Sequence, residues 1–235
     1  MQKTALITGA GRGLGRELAI EAVRRGFRVY AGVRSTAEPF PASEIVPVPL
    51  DVTDEAQRRG VVQQIAAEAG RLDLLIHNAG VNSSSVLFGP AETQVRFGSL
   101  TRGALLGVTE VNAVAPLLLT QELSTLLAAA GQARVVAVSS WFASIKECGQ
   151  RALNFGYSGS KALMNCYFRL AANAMRESGV VVFMVNPGWM RTRMGGERAE
   201  RDPAQSARDI LDLAARADDS LRGRFVDTDG SDHPW

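Results

Sequence analysis

Histidine and cysteine are scarce in this chain, with two of each among 235 residues. His77 and His233 are too few and too far apart in sequence for a histidine-rich zinc site, so no metal centre is expected. Cys148 and Cys166 belong to no C-x-x-C and no dense framework, and both are read as reduced thiols. An excess of one charge is also missing. The net charge is +2, and arginines such as Arg24, Arg25, Arg58 and Arg59 are scattered among carboxylates, which argues against a nucleic-acid partner. No unbroken apolar run reaches the roughly 20 residues of a membrane span. The opening "MQKTALITGAGRG" passes from a short apolar run straight into glycines, unlike a secretory leader. A cytoplasmic chain with no membrane partner is expected.

What is present fits a folded chain with one full core. Hydrophobic residues make up 46% and charged residues 21%, and no linker, repeat or low-complexity tract divides the chain, so residues 1–235 are read as a single domain. Seven β-rich runs recur: "TALIT" (4–8), "FRVYAGV" (27–33), "IVPVPL" (45–50), "LDLLIH" (72–77), "ARVVAVS" (133–139), "VVVFMVN" (180–186) and "RFVD" (224–227). Helical patterns begin near Leu14, Asp54, Val108, Tyr157 and Pro203. Strands alternating with helices predict an α/β, doubly wound Rossmann fold with a seven-stranded parallel sheet. The Ser- and Gly-rich stretch 81–103 is expected to hold loops and short helical turns.

In such sheets ligands bind beyond the carboxyl ends of the strands, where strand order reverses. The polar motifs gather at that edge. "TGAGRGLG" (8–15) follows the first strand and opens a helix, the context in which glycines admit a diphosphate to backbone N–H groups and to the positive helix end. Gly9, Gly13 and Gly15 make G-x-x-x-G-x-G, a different spacing from G-x-G-x-x-G, and the glycines alone also suit a tight turn without ligand. Where the second strand usually ends in the acidic residue that binds a ribose 2′-hydroxyl, this chain has Val33 and then Arg34. Without that carboxylate, Arg34 and Arg12 form a forked pair suited to a 2′-phosphate, although each is also an ordinary surface charge, and NADP(H) is the cofactor expected. Asp51 suits either an adenine amino group or a cap before Thr53. "YSGSK" sets Tyr157 and Lys161 four residues apart, on one face if helical. Phenol and ammonium ionise near ~10 and ~10.4 when free, and a neighbouring positive charge favours phenolate. An isolated Y-x-x-x-K is more often a core tyrosine beside a surface lysine.

Together these residues resemble the short-chain dehydrogenase/reductase family, with "TGAGRGLG", "DV", "HNAG", "VN" (111–112), "VSS", "YSGSK" and "NPGWMRT" in the family's order. "PGWMRTRMGG" and "FVDTDGSDHPW" are similar to its C-factor and sniffer-type carbonyl reductase branch. The resemblance implies that Tyr157 is general acid and base, that Lys161 binds the cofactor ribose and lowers the phenol pKa, that Ser140 orients the substrate oxygen and that Asn112 serves a water-mediated proton relay. It also implies that Asn78, Ala79 and Gly80 line the cofactor, that Leu14, Val52, Pro187 and Gly188 lie along it, and that Thr192 holds the nicotinamide amide.

Two features depart from the family pattern. His77 stands where asparagine is usual and is read as a satisfied structural histidine. Seventeen residues separate Ser140 from Tyr157, leaving "SIKECGQRALNFG" as an enlarged loop and Ser144 as a weaker rival to Ser140; Ser139 should face the opposite side. The implied activity is NADPH-dependent hydride transfer to or from a small carbonyl or alcohol substrate, against the alternative of a catalytically silent dinucleotide-binding regulator. Trp141, Phe142, Trp189, Met190 and Met194 flank the site as pocket or core, and Trp189 to Arg201 reads as a lid. The helices near Val108 and Tyr157 are the surfaces expected in a homo-oligomer, dimer or tetramer.

Overall fold

A computed structural model describes residues 2–35, 39–82, 95–149 and 153–235. Seven parallel strands form one sheet: β1 (Lys3–Thr8), β2 (Phe27–Val33), β3 (Ile45–Pro49), β4 (Leu74–His77), β5 (Arg134–Val138), β6 (Val181–Asn186) and β7 (Phe225–Asp227). Their order is β3-β2-β1-β4-β5-β6-β7, which puts the reversal of direction between β1 and β4. Pro47 and Pro49 are tolerated in β3 because it is an edge strand, where a missing N–H need not break an internal ladder.

Alternating side chains feed two cores. Ala5 and Ile7 of β1, Val136 and Val138 of β5 and Phe183 and Val185 of β6 enter one. Leu6, Val135, Ala137, Val182 and Met184 enter the other. Each fully buried Leu, Ile or Phe contributes about 1.5–3 kcal/mol, so a one-residue slip of register would be very costly. Helices α1 (Gly13–Arg24) and α2 (Glu55–Glu68) cover opposite faces, and Asp54 caps α2 by accepting the Gln57 N–H at 3.1 Å.

The helix expected near Val108 starts earlier. Thr101 accepts the Ala104 N–H at 3.3 Å and opens α3 (Arg102–Thr109), despite Gly103 and Gly107. A π-helical turn, Glu110–Val114, then leads into α4 (Ala115–Glu122) and α5 (Ser124–Ala129). By length and composition the helical run Arg102–Glu122 suffices to cross a bilayer, which qualifies the expectation of no such stretch, although the sequence has no unbroken apolar run of that length. Almost half of it is buried, with α3 packed on α7 (Phe155–Ala174). The enlarged loop contains α6 (Ile145–Cys148), while residues 150–152 lie outside the described residues, as do 83–94 of the Ser- and Gly-rich stretch. Helix α8 (Pro203–Arg216) completes the face that carries α1.

The two helices α2 and α4 are joined by Arg58, whose guanidinium binds Glu122 at 3.2 Å and the Val52 carbonyl at 2.9 Å. Arg58→Ala should cost roughly 2–3 kcal/mol, less than the ~3–5 of a fully buried pair because Glu122 retains some solvent. Arg59→Ala, which loses only the exposed partner Glu55, should cost under ~0.5 kcal/mol. Urea denaturation of both variants checks this, and equal losses would contradict it.

Candidate active site

The site is built at the β1–β4 junction. Thr8, the last residue of β1, uses its hydroxyl to accept the Asn78 and Ala79 N–H groups at 3.1 and 3.0 Å. The Asn78 amide donates to the Thr8 and Gly9 carbonyls at 3.0 and 3.2 Å. These bonds hold the turn after β4 so closely that a Cβ on Gly9 would lie 2.8 Å from the Ala79 Cα, and one on Gly15 would lie 2.3 Å from the Gly9 oxygen. Both glycines are therefore required for close packing. Gly9 and Gly13 also have φ of +66° and +53°.

Helix α1 starts from Arg12 in extended conformation, with no side-chain cap and no acidic residue in its first turn. That leaves donor groups suited to an anion. Arg12 is depressed below the ordinary arginine range by burial and by the like charges of Arg193 and Arg34. Val33 is buried at the end of β2. The donor set thus fits a phosphorylated dinucleotide. Leu14 and Val52 bury their side chains, so any role of theirs along a cofactor falls to the backbone. Asp51 accepts the Thr53 N–H and hydroxyl at 3.0 and 2.8 Å, a local turn, while capping of α2 belongs to Asp54.

From Gly80 the junction continues toward α7. The Asn112 side chain pairs with Val81 in both directions, accepting its N–H and donating to its carbonyl at 2.8 Å each, and donates to Ser160 Oγ at 2.9 Å. Ser160 in turn donates to the Tyr157 carbonyl at 2.8 Å. Asn112 is fully buried and both its amide hydrogens are engaged, so its side chain is a clamp with no proton left for a water relay. Pro116, four residues on, has no N–H to close an α-helical bond to the Asn112 carbonyl.

At the end of β5, Ser140 and Ser139 diverge as expected. The Ser140 hydroxyl accepts the Phe142 N–H at 3.2 Å and lies near enough to the Tyr157 phenol to favour its ionised form. Ser139 Oγ instead donates to Asn165 Oδ1 at 2.7 Å. Ser144 caps α6 by accepting the Glu147 N–H at 3.2 Å and donates to the Trp235 carbonyl at 3.3 Å, which removes it as a rival. Phe142 meets the Tyr157 ring edge to face, with centroids 5.7 Å apart.

Lys161 is anchored on β5. Its ammonium is buried and donates to the Val138 carbonyl at 2.7 Å, and burial lowers its pKa to about 8. Burial raises the Tyr157 pKa, and the nearby Ser140 hydroxyl opposes the rise only in part. Spacing on one helix face put the two residues in reach but could not set the lysine's partner.

His77 is only half satisfied. Thr120 donates its proton to the Pro116 carbonyl at 2.9 Å, so its oxygen accepts from His77 Nε2 at 2.7 Å. Nδ1 is then a buried acceptor without a partner among the described residues. Burial first, and the Lys161 charge second, push His77 down to about 3.

Pro187 and Gly188 follow β6, and Pro187 is tied to α8 by the Ser206 hydroxyl at 3.0 Å. Thr192 stands against the glycine turn, its Cγ2 3.4 Å from a Cβ placed on Gly13. Sequence reasoning did not single out Thr8, Ser160, Asn186 or Arg193. Asn186 accepts the Trp141 N–H at 3.2 Å and donates to Asp227 at 2.7 Å, joining the turns after β5, β6 and β7. Its place in "NPG" at a strand end was the available clue.

Comparison with known proteins identifies the family. The family model for short chain dehydrogenases matches residues 3–203, and the chain belongs to that family. Enzymes of the family are oxidoreductases that bind a nicotinamide cofactor and small substrates. The chain is 30% identical over 166 residues to C-signal of Myxococcus xanthus, covering 71% of this chain and 94% of that protein. Carbonyl reductase Sniffer of D. melanogaster superposes with a TM-score of 0.88 over the whole of both chains at 22% identity, a likeness of fold. An NADPH-bound carbonyl reductase from chicken fatty liver has a TM-score of 0.86 and 25% identity, over 100% of this chain and 99% of that one. The chain spans 51–63% of the length of several longer curated relatives.

The buried histidine has a measurable consequence. Between the ordinary histidine pKa near ~6.5 and the folded value of about 3, the unfolded chain binds the extra proton, so stability falls as pH drops through that window. The slope should approach ~1.4 kcal/mol per pH unit. His77→Asn should remove this part of the acid sensitivity, seen in urea midpoints between about pH 6.5 and about pH 4.5. Parallel pH curves for the two proteins would contradict the assignment.

Proposed function

We propose that the chain is an NADP(H)-dependent oxidoreductase that moves hydride between nicotinamide and a small, apolar carbonyl or alcohol, with Tyr157 as general acid and base. The observation that carries this reading is that the helix of Tyr157 and Lys161 is tied through Ser160, Asn112 and Val81 to the loop after β4 that packs on the glycine turn. The nicotinamide ring supplies or accepts the hydride when bound. Gly9, Gly13 and Gly15 with the start of α1 would hold the diphosphate, and Arg12 and Arg34 the 2′-phosphate. Asn78, Ala79 and Gly80 would line the ribose side, and Thr192 would hold the carboxamide.

Ser140 would then fix the substrate oxygen, and Tyr157 would give it a proton as the alkoxide develops. A protonated phenol is the form needed for reduction, and burial keeps Tyr157 in that form. Lys161, by exchanging Val138 for the ribose, would bring its charge to bear on the phenol and ease the proton's departure. The Asn112 carbonyl is the natural end of a water relay that restores the proton. Trp141, which is 39% exposed, and Phe142 offer an apolar wall beside Tyr157, which supports apolar carbonyls as substrates. The proposal includes a cytoplasmic setting, in which the free, exposed Cys148 and Cys166 would stay reduced. It also includes a homo-oligomer that covers the exposed Leu106 of α3 and Leu170 of α7.

Tyr157→Phe should keep the fold and NADPH binding while carbonyl reduction falls by ~10² to 10⁴ or more. Steady-state rates on apolar ketones, aldehydes and quinones measure this, and near-normal turnover would remove the proton-donor role. Replacing Val33 with Asp and Arg34 with Ala together should move kcat/KM toward NADH by adding repulsion and removing attraction. A wild type that already prefers NADH would overturn the cofactor assignment.

A further inference from the structure

The loop 189–201 is a compact unit. Its base is closed by the Arg191 N–H donating to the Arg201 carbonyl at 2.9 Å and the Arg201 N–H donating to Trp189 at 3.1 Å. Inside, Thr192 Oγ1 accepts the Gly195 N–H at 3.1 Å and Trp189 Nε1 donates to the Gly195 carbonyl at 2.8 Å. A Cβ on Gly195 would fall 2.1 Å from the Met190 oxygen, so the fold of the loop depends on that glycine. Two contacts seat the loop on the site. Thr192 touches the glycine turn at Gly13, and the Met194 carbonyl accepts from Asn82 at 3.4 Å.

Arg193 stands between those two contacts, beside the turn that carries Arg12. Arg12 feels the positive charge of both Arg193 and Arg34. None of the three arginines has an ion pair or side-chain hydrogen bond among the described residues, whereas most other arginines of the chain have carboxylate or carbonyl partners. Three guanidiniums gathered from three segments, with no ion-pair partner among the described residues, repel one another, and a bound dianion would relieve that repulsion. Arg34 leaves the end of β2, where the adenine ribose lies in this type of sheet, which identifies the anion as the phosphate on that ribose.

We propose that Arg193 is a third guanidinium for the cofactor's 2′-phosphate, delivered by the 189–201 loop, so that recognition of the phosphate and seating of the loop are one event. The inference rests on the NADP(H) reading above and adds to it a specificity residue distant in sequence from Arg12 and Arg34. Thr192 is its immediate neighbour, so an NADP(H)-bound chain would hold the loop, and with it the carboxamide contact, more firmly than an NAD(H)-bound one.

The test is direct binding to Arg193→Gln and wild type by calorimetry, using NADPH, NADH, adenosine 2′,5′-bisphosphate and AMP. The variant should bind NADPH and the bisphosphate roughly tenfold more weakly, with NADH and AMP changed less than about twofold. Arg193→Lys should recover only part of the loss, because an ammonium cannot reproduce the fork. Chymotryptic cleavage at the exposed Trp189 should slow when the bisphosphate is added to wild type and should not slow in the glutamine variant. An equal loss for all four ligands would make Arg193 a support of the loop or of the diphosphate and overturn the proposal. No loss for any ligand would make it a solvated charge and overturn it as well. In both cases a wild type that prefers NADPH leaves the cofactor reading standing; a wild type that binds NADPH no better than NADH removes that reading and this one together.

Discussion

Thr8 ends β1 with one hydroxyl that accepts two consecutive backbone N–H groups, those of Asn78 and Ala79. The rest of the site depends on this junction, because it fixes the turn after β4 at the point where strand order reverses. Through Val81 the same loop is clamped to Asn112, and through Ser160 to the helix of Tyr157 and Lys161. The glycine turn and the helix of the proposed acid are far apart in sequence. A continuous set of hydrogen bonds, most of them 2.8 to 3.2 Å long, places them as one body.

A second constraint comes from Pro116. Its missing N–H is accommodated by the π-helical turn Glu110–Val114, which carries Asn112. The same proline's carbonyl takes the Thr120 proton and thereby orients His77. His77 and Lys161 are both buried beside the central strands, and each is disfavoured in its charged form. The histidine accordingly stays neutral. The lysine keeps its charge at neutral pH with the support of the Val138 carbonyl.

The fold was readable because its causes are local and repeated. Period-two and unbroken apolar runs mark the strands, and Gly9 and Gly15 stand where only a glycine fits. Ser140 and Ser139 were separable by strand alternation alone. Other features were hidden because they depend on tertiary partners. Thr101 starts α3 ahead of two glycines that discourage a helix, and the direction of the Lys161 ammonium is decided by a carbonyl on β5. Asn112 was legible as a site residue, but its clamp on Val81 and Ser160 was not. Arg193 joins Arg12 only because the 189–201 loop folds back on the glycine turn, a contact that no spacing rule contains.

Under the proposed function, a bound cofactor would draw Lys161 from Val138 and so complete the acid. The most direct measurement is an ultraviolet difference titration of the Tyr157 phenol, with Tyr157→Phe as the blank, in the ligand-free chain and with saturating NADP⁺. The ligand-free phenol should titrate above the ordinary tyrosine value near ~10, and the cofactor should lower it clearly. The same pKa in both states, or a ligand-free value already below that of free tyrosine, would contradict the account.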